Sequence, residues 1–172
     1  MEQSASKSST VYTYGLYLGI AAIVFSLITY YGGMLGNTYF GYLGFVISIV
    51  FIYLGLKAYK ENENGGYLKY GQGVGIGVLI SLVGGIVSSI FTFVFFAFID
   101  PAKHTEMMAI VQEQQLEAGV PAAQLEQMDG MMSAMMSPTA MAIYGVIGSV
   151  IGGLIISLII AAILKKDPEP EF

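Results

Sequence analysis

Twenty-nine consecutive residues, Gly71–Ile99, carry no charge, and the run closes only at Asp100. As a helix rising ~1.5 Å per residue this stretch is roughly 43 Å long. The hydrocarbon core of a bilayer is only about 30 Å thick. One face carries small residues at every fourth position: Gly73, Gly77, Ser81, Gly85 and Ser89. Small residues let helix backbones approach closely inside a membrane, so this face is read as a packing surface and not as a catalytic one.

Three further apolar runs accompany it. The spacing predicts spans at about 12–31, 39–56, 71–99 and 138–164 in a single membrane domain covering all 172 residues. Charged residues make up 11% of the chain, against about 25% in soluble domains. The expected fold class is therefore all-α and integral to the membrane, with four transmembrane helices. Residues 1–10 and 165–172 read as flexible cytoplasmic tails. The first run is too long for a signal-peptide core and has no small-residue cleavage site after it, so it is expected to be retained. Gly32–Thr38 reads as a tight turn, and 57–70 as a hydrophilic loop broken at Asn64-Gly65-Gly66. The glycines of 71–77 predict an irregular start to the third span, since glycine is a poor helix former. They lack the Lys-Ser/Thr of a phosphate loop.

Four spans place both termini on one side. Lys7, Lys57, Lys60, Lys69, Lys165 and Lys166 fall on that side and only Lys103 on the other. The excess of lysine in short flanking segments makes the termini cytoplasmic. The tyrosines, Tyr59 among them, cluster near predicted span ends and are read as interfacial anchors.

The fourth span has its own ladder, Gly145, Ser149, Gly153, Ser157 and Ala161. The simplest use of two such ladders is an antiparallel pair. The alternative is that one of them faces a second copy or another membrane protein.

Between spans three and four, residues 100–137 carry a net charge of −5. Asp100-Pro101 and Ser137-Pro138 are helix-start signatures, a capping acceptor followed by proline. They predict an extracytoplasmic amphipathic helical pair, over about 101–118 and 121–136, broken at Gly119. The second helix presents Leu125, Met128, Met132 and Met135 as a stripe suited to a partner or the membrane surface. Thioethers also suit Cu(I). Met128, Met131, Met132 and Met135 are therefore the metal-ligating candidates, with His104 as an additional ligand. No other metal or cofactor site is expected.

There is no cysteine, one histidine and no arginine. A thiol nucleophile, a zinc centre and a histidine triad have nothing to be built from. The acidic balance argues against nucleic acid as a partner. The spans hold no ionisable side chain, which argues against coupled transport. The expectation is that the chain is not an enzyme.

The order GYLKYGQGVGIGVLISLVGGIVSSIFTFVFFAFIDP, an acidic segment containing LEAGVPAAQLEQM, then SP and IGGLIISLIIAAILKK, resembles a family of small bacterial membrane proteins. That family is common in Bacteroidetes and catalogued as a domain of unknown function. The resemblance implies a four-span inner-membrane protein and brings no catalytic residue with it. The function expected is that of a membrane scaffold or accessory subunit, working through the small-residue faces and the outer helical pair. A small transport or channel component, with Cu(I) handling as a variant, is the alternative.

Overall fold

The computed structural model describes residues 2–167, and for residues 2–8 and 38 the backbone alone. Among these residues the chain forms α1 (Glu2–Tyr31), α2 (Thr38–Ala58), α3 (Tyr70–Val94), α4 (Pro101–Glu117), α5 (Ala122–Met135) and α6 (Pro138–Leu164). π-helical turns at Tyr59–Glu63 and Phe95–Ile99 extend α2 and α3. Four stretches are long and apolar enough to cross a membrane: Ser9–Tyr31, Tyr39–Glu63, Tyr70–Ile99 and Pro138–Leu164.

Local chemistry sets the boundaries. The Asp100 side chain accepts from the Lys103 amide, and Pro101 occupies the first turn of α4. Ser137 and Pro138 do the same for α6, and Asn37 caps α2. The backbone turns at Gly33, Gly36, Gly65, Gly66 and Gly119 all have positive φ, the region where glycine alone is unstrained.

Three details differ from expectation. Helix α1 runs on through residues 2–10, which read as a tail. Helix α3 is regular from Tyr70 despite its glycines. Inside a bilayer an unpaired backbone group costs several kcal/mol, which outweighs the roughly 1 kcal/mol propensity penalty of a glycine. At the C-terminal end, Lys166 exchanges two backbone hydrogen bonds with Leu68, of 2.8 and 3.0 Å. Residues 168–172 of the expected tail lie outside the described residues.

Helix α3 is the centre of the bundle, packed most extensively on α6, next on α1, and also on α2. Gly15 and Gly19 of α1 lie against Val83 and Val87, so α1 and α3 run parallel. Helix α6 runs antiparallel to α3 (below). The start of α1 and the end of α6 are therefore at one end, the terminal end, and α4–α5 are at the other, the loop end. Helix α6 divides cleanly into two faces. Ile143, Ile147, Ile151, Ile155, Ile159 and Ile163 are exposed, while Gly145, Ser149, Gly153, Ser157 and Ala161 face α3. In lipid this is the economical arrangement, since aliphatic side chains lose nothing by facing acyl chains.

Candidate functional site

The two small-residue ladders meet along a single seam. Gly73 lies against Ala161, Gly77 against Ser157, Ser81 against Gly153, Gly85 against Ser149, and Ser89 against Gly145. The α6 partner falls by four as the α3 residue rises by four, which is antiparallel register without a slip. A Cβ added at Gly73 would lie 2.9 Å from the Ala161 Cβ, at Gly77 2.8 Å from the Ser157 Cβ, and at Gly85 2.6 Å from the Ser149 Cβ. Carbon atoms pack at about 3.5–4.0 Å, so these sites admit glycine only. The Ser157 hydroxyl is fully buried here, with no hydrogen-bond partner among the described residues.

At the loop end an aromatic cluster replaces the glycines. Tyr30 stacks on Phe95 at 5.3 Å and lies 5.2 Å from Phe96. The π-helical turn, closed by the Asp100 amide donating to the Phe95 carbonyl at 2.8 Å, allows both neighbouring phenylalanines to be buried. The Tyr31 hydroxyl donates to Asp100 at 2.9 Å. His104 packs on Phe96, and its Nε2 lies 2.7 Å from the Met136 carbonyl oxygen, tying α4 to the end of α5. The Gln114 amide donates to the Gly36 carbonyl at 2.9 Å, tying α4 to the α1–α2 turn. Lys103 pairs with Glu106 at 2.6 Å, and that hydrogen bond holds its ammonium above the ordinary lysine pKa.

Beyond these ties, α4 and α5 bury no residue. Glu106, Glu113, Glu117, Glu126 and Asp129 are exposed. Of the predicted stripe, Leu125, Met128 and Met132 are half-buried and Met135 is exposed, as is Met131. The metal-ligating candidates are thus split between covered and open positions, and His104 is engaged elsewhere. A groove of about 320 Å³ between the helices is lined by Gln112, Leu116, Leu125, Glu126 and Asp129.

The terminal end holds a polar cluster where the composition of 57–70 predicts a hydrophilic loop. Thr10 donates to Glu63. The Gln72 amide donates to the Tyr59 hydroxyl at 2.6 Å, and Asn64 donates to the Tyr67 carbonyl at 2.7 Å. Lys60 donates to the Leu164 carbonyl at 2.9 Å, closing the last turn of α6. Tyr59, expected as an interfacial anchor, is 1% exposed. The signal for this cluster was Gln72, an amide placed one residue into an otherwise apolar run.

A third feature lies at mid-span. A half-open crevice of about 230 Å³ is bounded by Gly44 and Ser48 of α2, Ser81 and Ser88 of α3, and Gly148 and Gly152 of α6.

Four apolar helices around a small-residue seam, with one helical hairpin outside, define a polytopic all-α membrane protein. The chain belongs to the family described as Protein of unknown function (DUF4199), which it matches over residues 13–166. No curated protein and no solved structure matches it.

Proposed function

We propose that this protein is a non-enzymatic accessory subunit or scaffold of the bacterial inner membrane, and that its α4–α5 hairpin is the docking surface. The observation behind this reading is the contrast in burial. The small-residue ladders are consumed inside the bundle, whereas no residue of α4 or α5 is fully buried. Their exposed carboxylates stand beside exposed Leu116, Met131 and Met135. Apolar anchors next to uncompensated acid suit a basic, amphipathic partner segment. The lysine distribution supports a cytoplasmic terminal end and an extracytoplasmic hairpin.

Cross-linking mass spectrometry on native membranes tests the proposal. The expected result is one reproducible partner linked to residues 112–135, lost in the double variant Met131→Asp/Met135→Asp while the bundle stays folded. A chain recovered alone and monomeric would sink it. The second reading, a small transport component, has the mid-span crevice in its favour. Solute flux in proteoliposomes tests it, and no flux across a broad solute panel counts against it.

A further inference from the structure

Helices α2 and α6 run parallel, and a single offset can be followed from the terminal end. The Lys60 ammonium reaches the Leu164 carbonyl, 104 residues on. At the same offset Leu56 matches Ile160 and Ile52 matches Ile156, all four buried in one core cluster. Continued towards the loop end, that offset would pair Gly44 with Gly148 and Ser48 with Gly152, but the helices do not touch there. These pairs line the crevice instead of closing it. A Cβ at Gly148 or Gly152 would meet no atom within 4 Å.

Depth and size decide what the crevice can hold. Ser48 lies at the midpoint of α2 (Thr38–Ala58), about 15 Å from either end at ~1.5 Å per residue. That is the middle of a hydrocarbon core of about 30 Å, where the surrounding solvent is acyl chain. The walls ask for nothing polar. Ser48, Ser81, Ser88 and Ser149 each donate to a carbonyl of their own helix, at 3.1, 3.0, 3.2 and 2.8 Å. A partner's helix, about 10–12 Å across with its side chains, fills roughly 500 Å³ per turn, more than the crevice of about 230 Å³ holds. The middle stretch of a single acyl chain is thin enough to enter, and it restores the dispersion contacts that an empty gap forfeits.

We propose that this crevice binds one acyl chain of a membrane phospholipid, held between the glycine faces of α2 and α6. The inference stands apart from the docking role of α4–α5. Native mass spectrometry after extensive detergent exchange tests it. Wild-type protein is expected to retain about one phospholipid per chain. Gly148→Leu/Gly152→Leu, which fills the crevice, should lower retention about tenfold. Gly75→Leu, also in open space but outside the crevice lining, should leave retention unchanged. A second measurement needs no substitution. Spin-labelled phospholipid in proteoliposomes should give a motionally restricted component that excess unlabelled lipid displaces only slowly. No retained lipid, equal retention in the filled variant, or no restricted component overturns the proposal. Retention of a different apolar molecule in the crevice overturns the phospholipid assignment.

Discussion

Helix α6 takes part in two seams with opposite outcomes. Against α3 its small residues close throughout, from Gly145 to Ala161. Against α2 it has Gly148 and Gly152, and α2 answers with Gly44 and Ser48 in matching register, yet that half stays open. Spacing of small residues is therefore not sufficient for closure. The difference is the residue one turn further on. Along α3 every partner of α6 is glycine or serine. Along α2 the next position is Ile52, fully buried, whose Cγ2 reaches to 3.2 Å from where a Gly77 Cβ would be. Ile52 thus enters the α3–α6 seam beside Gly77, and a branched side chain at that level is what distinguishes the α2 seam from the α3 seam.

The largest effect should come from the closed seam. Gly85→Leu is expected to cost on the order of 3 kcal/mol, the upper range for overpacking a close-packed site. It would be read as a fall in unfolding midpoint in mixed micelles. Exchanging the pair sharpens the point: Gly85→Ser alone destabilises, and Gly85→Ser with Ser149→Gly recovers most of the loss. Failure of the exchange to recover stability would break the assigned register.

Ile52→Ala comes next, at about 2–4 kcal/mol for truncating a buried isoleucine. It should also let α2 approach α6. The chain has no cysteine, so Gly44→Cys/Gly148→Cys can report this directly. Disulfide formation should be slow in the parent and faster once Ile52 is alanine. An unchanged rate would remove Ile52 from the account.

Lys60→Met deletes the hydrogen bond that closes the terminal half of the α2–α6 seam. A loss of about 1 kcal/mol is expected, measured by the same unfolding midpoint. The smallest effects belong to the open half. Gly148→Ala and Gly152→Ala should each leave stability unchanged or raise it by about 0.5–1 kcal/mol, because no neighbour stands in the way. A loss matching that of Gly85 would mean that the crevice is closed.

The closed seam was legible in the sequence for a physical reason. Five small residues at four-residue spacing in an uncharged helix have few uses, and two such helices can satisfy each other. The helix starts at Asp100-Pro101 and Ser137-Pro138 were legible because capping is local. The crevice was not, since it depends on where Ile52 lands between two other helices, which no local pattern records. The polar cluster at the terminal end was hidden differently. Lys60, Glu63 and Asn64 have the composition of a solvated loop, and only the packing of Leu68 and Tyr59 around them draws them inward. Tyr59 itself is indistinguishable by type and position from the tyrosines that do face outward, such as Tyr39 and Tyr42.

The order of synthesis gives the α3–α6 seam one more consequence. Gly85 and its partner Ser149 are separated by all of α4 and α5. At roughly 5–20 residues per second of elongation, α3 enters the bilayer several seconds before α6 exists. During that interval α1 is available to its other flank, through Gly15 and Gly19, but the residues that will cover the glycine face are not yet made. A nascent chain stalled before α6 should cross-link through Gly77→Cys to other small-residue helices, and a completed chain should not. The last span to be made is the one that completes the centre of the molecule, and every neighbouring helix has a head start on it.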